Sequence, residues 1–169
     1  MVVAAILILN NGCKGPEPDY KATSTIREIM KSMIDPSANS LYNAVSSSVT
    51  AEGSKEKSPK TDEEWDDVRH QAVILMEASD LIVLAGRHVA GPAEVALNPR
   101  VQLSPAEIEA MIAKDRASWV KMANDLHDSI RPALKAIDDR NPMALSDSTI
   151  AIDMACESCH VKFWYRDKR

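Results

Sequence analysis

Aromatic residues are scarce in this chain, with one Phe, three Tyr and three Trp among 169 residues. Glycine is sparse too, with five, and neither Gly-marked strand turns nor strict Val/Ile/Thr alternation appears, which argues against a β-rich fold. Lysine and arginine form no block clear of acidic neighbours. With 20 basic residues against 25 acidic ones and a formal net charge of −5, the chain lacks the electrostatic footprint of a nucleic-acid binder. Gly-x-Ser-x-Gly is missing, as are a second metal-ligand cluster and paired carboxylates beside the Cys-rich C-terminal segment. An enzyme is therefore not expected.

What is present suits a helical protein of one domain. Apolar residues make up 45% of the chain, enough to bury a real core. Helical spacing recurs in four stretches. The first runs from about Ser24 to Ser47 with Ile26, Ile29/Met30, Met33/Ile34, Leu41 and Val45 on one stripe; Pro36, with Asp35 before it as an N-cap, predicts a kink or short break. "SSSVTAEGSKEKSPK" reads as a loop. The second stretch opens on a Thr61/Glu64 capping box, carries Trp65, Val68, Ala72, Leu75/Met76 and Ile82/Val83, and stops at Gly91-Pro92.

The third opens on Ser104-Pro105-Ala106-Glu107 and carries Ile108, Met111/Ile112, Trp119, Met122, Leu126 and Ile130, with Pro132 expected to bend or end it. "DDRNPMALS" is the last connection, and the fourth helix runs from roughly Asp147 to Tyr165. Four such helices joined by short connections predict an all-α, antiparallel four-helix bundle over residues 23–169.

The first 13 residues, "MVVAAILILNNGC", hold an apolar run from Val2 to Leu9, too short to span a bilayer and near the lower limit of a signal-peptide core. No Lys or Arg precedes it. The stretch reads as a signal or lipoprotein-type leader, followed by a flexible tether over 14–22. Cys13, behind Gly12, resembles the lipidated Cys of a bacterial lipoprotein box, with Asn10 where that pattern has Leu. Lipidation, simple cleavage near Cys13 and an incidental Cys all stay open, and a lipid at Cys13 would be the one membrane attachment.

The densest chemistry is "CESCHVKFWYR". Three of the seven aromatic residues, Phe163, Trp164 and Tyr165, follow a Cys-x-x-Cys-His run almost directly. On a helix, Cys156 and Cys159 lie on one face and His160 lies one turn beyond Cys156, so all three project to the same side. Cys-x-x-Cys-His is the attachment sequence of a c-type haem, with the thiols bonded to the macrocycle and the His as an axial ligand to iron. Phe163 and Trp164 continue that face as rings able to cover haem. A thioredoxin-like redox pair would need a βαβ setting. Zinc would need further paired ligands, whereas His70, His88 and His127 are scattered. A disulfide three residues apart on a helix constrains almost nothing.

With that motif near the C-terminus of a predicted bundle, the chain resembles the class II cytochromes c, the proteobacterial cytochrome c′ and cytochrome c-556 group. The likeness covers about Ala22 to Tyr165, in segments such as "IMKSMIDPSANSLYNAV", "EEWDDVRHQAVILMEASDLIVLAGR", "LSPAEIEAMIAKDRASWVKMANDLHDSI" and "AIDMACESCHVKFWY". Arg166 departs from it, standing where close relatives have Pro. The resemblance implies one covalent haem c through Cys156 and Cys159, proximal His160, a periplasmic setting and redox partner proteins. It also implies that the first helix lines the opposite face of the haem.

A Met there makes iron six-coordinate and suited to electron transfer, whereas an apolar residue leaves a site open to NO or CO. Met30, which matches the Met of the family's "IM" segment, is the candidate ligand, and Met33 is its neighbour on the stripe. A Met on an apolar helix stripe is ordinarily core filler, which is the reading for Met33, whereas Met30, if it does not bind iron, is a distal pocket residue touching the haem. Met76, Met111, Met122 and Met154 read as core. Arg27 and Arg69 are candidate partners of the haem propionates, and Trp65 of the haem edge. Many relatives dimerise through the first two helices; for this chain monomer and homodimer are both open.

Overall fold

The structure, a computed structural model, describes residues 20–50 and 53–166. Cys13, the leader and residues 14–19 of the tether lie outside the described residues. The described chain is mainly helical: α1 (Ile26–Ile29), a π-helical turn (Met30–Ile34), α2 (Asp35–Ala44), β1 (Ser46–Thr50), β2 (Gly53–Lys57), α3 (Asp62–Leu81), α4 (Pro105–Lys114), α5 (Arg116–Asp138) and α6 (Pro142–Phe163). No described helix is long and apolar enough to cross a membrane.

Three capping boxes start helices, at Thr25/Glu28, Thr61/Glu64 and Ser104/Glu107. In each, the hydroxyl accepts the N3 backbone N–H and the Glu carboxylate accepts the N-cap N–H, satisfying donors that a helix start would otherwise leave orphaned. The break expected at Pro36 is absent. Asp35 is helical, not an N-cap, and its N–H donates to the Met30 carbonyl five residues back. Widening to π spacing just before Pro36 lets the chain absorb the missing donor without leaving the helix. Pro132 likewise sits inside α5. Its neighbours Ile130 and Ala133 are fully buried, and their packing outweighs a Pro penalty of about 3 kcal/mol.

Other boundaries move for visible reasons. The third helix is two helices, broken at Asp115 (φ −134°, ψ 58°), whose carboxylate accepts the Ser118 N–H and caps α5. α3 stops at Leu81 instead of reaching Gly91, because side chains from elsewhere take its terminal carbonyls: Arg87 Nε bonds Leu81 O at 2.8 Å, Trp119 Nε1 bonds Ile82 O at 3.3 Å, and Arg116 bonds Val83 O. α6 begins at Pro142 after an Asn141 N-cap, earlier than expected, so the last connection is a tight turn. The segment after α2 is an antiparallel hairpin where a loop was expected, in register Ser46↔Lys57 to Thr50↔Gly53. Lys57 Nζ ties it to the Asn43 carbonyl at the end of α2 (2.6 Å).

α5 packs along both α6 and α3, and α2 lies on α3 and touches α6. Side-chain pairs fix the directions. Arg69 meets Asp138, His127 approaches Asp80, and Trp119 meets Ile82, so α3 and α5 run antiparallel. Lys162 meets Asp115, so the end of α6 lies beside the start of α5. Ile26 and Arg27 donate to the carbonyls of His88 and Val89 at 2.9 Å, and Glu109 accepts from Val89 N–H. This closes the start of α1 against the α4 side of the same end. Leu41, Ala72, Leu75, Ala78, Ile130, Ala133, Leu145 and Ile152 are fully buried along the shared axis. The apolar stripes predicted for the first three helical stretches therefore face one core. Met76, Met111 and Met122 pack against it as expected, but Met154, also expected in the core, is 65% exposed on the outer side of α6.

Candidate functional site

α6 carries the Cys-x-x-Cys-His run in its last two turns, and the end of that helix is unusually well anchored. The His160 carbonyl accepts both Trp164 N–H (2.9 Å) and Tyr165 N–H (2.8 Å), closing the C-terminus. The chain then pairs with the loop before α4: Leu103 N–H donates to Trp164 O and Arg166 N–H to Val101 O, both at 2.9 Å. The Arg166 guanidinium reaches Glu107 of the α4 capping box at 3.1 Å. Arg166 is thus a structural tie between the end of α6 and the start of α4.

Beside these, Lys162 Nζ donates to Asp115 Oδ2 at 2.6 Å. Phe163 is buried, its ring edge-on to Trp119 at 5.3 Å. The N-cap of α5 and a buried aromatic pair therefore hold the turn that bears His160.

Cys156, Cys159 and His160 are all half-buried and share one face of α6. Neither cysteine is in a disulfide. Burial pushes the Cys156 thiol up to about 11, helped by the Asp153 carboxylate and opposed by its own backbone and by the neighbouring Tyr42 hydroxyl. Burial, with Cys156 adding to it, takes Cys159 to about 12. Burial also holds the His160 imidazole below its ordinary value, against the pull of Glu157. At neutral pH the set is therefore two thiols and an uncharged imidazole, the form with a lone pair to give to a metal.

The Trp164 ring stands edge-on to His160 at 4.7 Å and stacks on Tyr165 at 5.4 Å, while the Tyr165 hydroxyl donates to Glu157 at 3.1 Å. Among the described residues, no three His, Cys, Asp or Glu side chains are grouped so as to hold one metal ion.

Met30 and Met33 both lie in the π-helical turn, half-buried and packed on the core against which Cys156, Cys159 and Trp164 also pack. Arg27 sits at the end of the molecule where α6 finishes, and its guanidinium is engaged by Glu94 (3.3 Å) and the Val95 carbonyl (3.0 Å). Arg69 pairs with Asp138 at 2.9 Å toward the opposite end. Trp65 is buried in the first turn of α3, about 25 Å of helix away from the Ile82 level where Trp119 and Phe163 meet. His70 and His88 are exposed, as expected for surface residues. His127, expected at the surface, is half-buried between Asp80 and Asp128.

Tyr42 was missed as a site residue. It follows Leu41 in α2, is half-buried and lies near Cys156, and burial raises its hydroxyl well above the usual tyrosine range; a tyrosine on an inward stripe in so aromatic-poor a chain is the signal that would have found it. No protein-family model, no curated protein and no solved structure matches the chain.

Proposed function

We propose that the chain is a mono-haem c-type cytochrome of the class II kind, a four-helix bundle that carries single electrons in the periplasm, tethered to a membrane if Cys13 is lipidated. One observation carries this reading: two unpaired thiols and a neutral imidazole share one half-buried face of α6 within two helical turns. The donor set fits haem c better than a lone ion, because haem spreads the three groups over separate atoms, the two thiols on the macrocycle edge and the imidazole on iron. In this reading Cys156 and Cys159 hold the group covalently and His160 is the proximal ligand, with Trp164 excluding water beside it. Bound haem supplies a one-electron iron couple. The protein's part is to hold His160 neutral, to orient its ring through Trp164 and to anchor its helix through Lys162 and Phe163.

The opposite axial position decides between electron transfer and the second reading, binding of NO or CO. Met30 and Met33 come from a π-helical turn, a deviation from α spacing that is frequent at functional sites. That favours Met30 as ligand and electron transfer; their packing on the core as ordinary apolar side chains is what keeps the gas-binding alternative in play.

The test is the optical spectrum of protein made with the cytochrome c maturation machinery, ferric and ferrous, with and without CO, for wild type and Met30→Leu. A low-spin ferric spectrum with a far-red sulfur-to-iron band, lost on substitution, and weak CO uptake by the wild type supports the electron carrier. A high-spin spectrum unchanged by the substitution, with ready CO binding, supports gas binding. Absence of a haem spectrum overturns both.

A further inference from the structure

Four side chains close a circuit at the end of α6. Glu157 and His160 lie three residues apart in the helix, which sets them side by side on neighbouring turns with about 5–6 Å between their Cβ atoms. Tyr165 folds back over that turn. Its N–H donates to the His160 carbonyl at 2.8 Å, an antiparallel bridge to Gln102 fixes its backbone, and its hydroxyl donates to Glu157 Oε2 at 3.1 Å. The Trp164 ring completes the set, stacked on Tyr165 at 5.4 Å and edge-on to His160 at 4.7 Å, while the rings of His160 and Tyr165 are 6.1 Å apart.

Glu157 differs from the charges around it. Lys162 is neutralised by Asp115 at 2.6 Å and Arg166 by Glu107 at 3.1 Å. The Asp153 carboxylate, one turn before Glu157, acts on Cys156 and Tyr42. Among the described residues no Lys or Arg pairs with Glu157; its partner is the Tyr165 hydroxyl. Burial and the Glu157 carboxylate both raise that hydroxyl above its ordinary value, so it remains a donor. A neutral donor fixes the place of a carboxylate without cancelling its charge. The charge acts on His160, where burial disfavours a positive imidazole and Glu157 favours one. Iron bound at His160 carries one more positive charge when oxidised than when reduced, and a nearby carboxylate favours the oxidised state in the same way.

We propose that Glu157 is the charge that lowers the reduction potential of iron bound at His160, and that Tyr165 is the positioning residue that holds it there. This role rests on the proposed ligation of haem iron by His160 and is independent of whether Met30 takes the opposite position. A lowered potential makes the reduced protein the stronger donor, which suits a carrier that passes its electron to an acceptor of higher potential. Glu157 is exposed, so water and salt screen its charge and the effect is smaller than that of a buried carboxylate.

The experiment is spectroelectrochemical titration of the haem-loaded full chain at low and high salt, for wild type, Glu157→Gln, Glu157→Lys, Tyr165→Phe and the double variant Tyr165→Phe with Glu157→Gln. The potential is expected to rise on Glu157→Gln and to rise about twice as far on Glu157→Lys, because the first change removes one charge and the second reverses it. Both rises are expected to shrink at high salt. In the Tyr165→Phe background the rise on Glu157→Gln is expected to be smaller, since the released carboxylate swings out into water. Gln keeps the size of Glu and its capacity to accept from Tyr165, so should Glu157→Lys load no haem, Glu157→Gln at the two salt concentrations carries the test alone. A potential that stays constant across the Glu, Gln and Lys series, or that shifts without regard to charge and salt, overturns the role of Glu157. Equal rises with and without the Tyr165 hydroxyl overturn the role of Tyr165. In both cases a normal haem spectrum leaves the proposed function standing, whereas a wild-type chain that takes up no haem overturns the two together.

Discussion

Tyr42 of α2 and Cys156 of α6 lie close enough for each to influence the other's protonation, joining the first helical stretch of the described chain to the one that carries the Cys-x-x-Cys-His motif. In the haem-free chain, Tyr42→Phe, which keeps the ring and removes only the hydroxyl, is expected to lower stability by no more than about 1 kcal/mol. Urea unfolding measures it. A loss well above that would contradict this reading of the contact.

Asp115 gives the fold an acid-sensitive joint. The hydrogen bond from Lys162 and those from Ser118 hold its carboxyl at about 2, down from 3.8. The folded state therefore prefers the ionised form more than the unfolded chain does. That stabilisation is complete at neutral pH and is lost as pH falls from 3.8 towards 2. Asp115→Asn should remove this part of the acid dependence. Denaturant midpoints measured across that window should fall more steeply for wild type than for the variant; parallel curves would show that the joint contributes nothing.

The anchoring of the α6 terminus divides unequally between its parts. Trp119 is 3% exposed and both packs on Phe163 and donates to Ile82, so Trp119→Ala should cost about 3–5 kcal/mol. Trp119→Phe, which keeps much of the volume and loses the indole N–H, should cost less. The Arg166–Glu107 pair is some 43–44% exposed, and Arg166→Ala should cost under about 1 kcal/mol. Thermal or urea unfolding ranks the three, and a larger loss for Arg166 than for Trp119 would contradict this account of the anchor.

Local chemistry made much of this legible in the sequence. The Thr61/Glu64 and Ser104/Glu107 boxes, the inward stripes of Val68, Ala72, Leu75, Ile108 and Trp119, and the alignment of Cys156, Cys159 and His160 all depend on residues a few positions apart. What escaped depends on distant partners. The Asp115 break is hidden because Ile108, Ile112 and Trp119 continue one helical phase across it. Pro36 and Pro132 look like breakers until the π turn and the buried Ile130 and Ala133 are seen to carry the helix through. Leu81 ends α3 because Arg87, Trp119 and Arg116 are there to take the freed carbonyls. Met154 follows the same helical pattern as a core residue yet faces outward, since α6 is apolar on both sides and periodicity alone does not say which side meets the core.

The haem proposed for α6 would be held through two covalent sulfur links. Its most direct test is the mass of the denatured, acid-washed protein after co-expression with the cytochrome c maturation machinery, for wild type and for Cys156→Ala with Cys159→Ala. Wild type is expected to retain one haem's mass through denaturation and the double variant none. A wild-type chain that leaves the maturation machinery with both thiols free and no haem attached would contradict it.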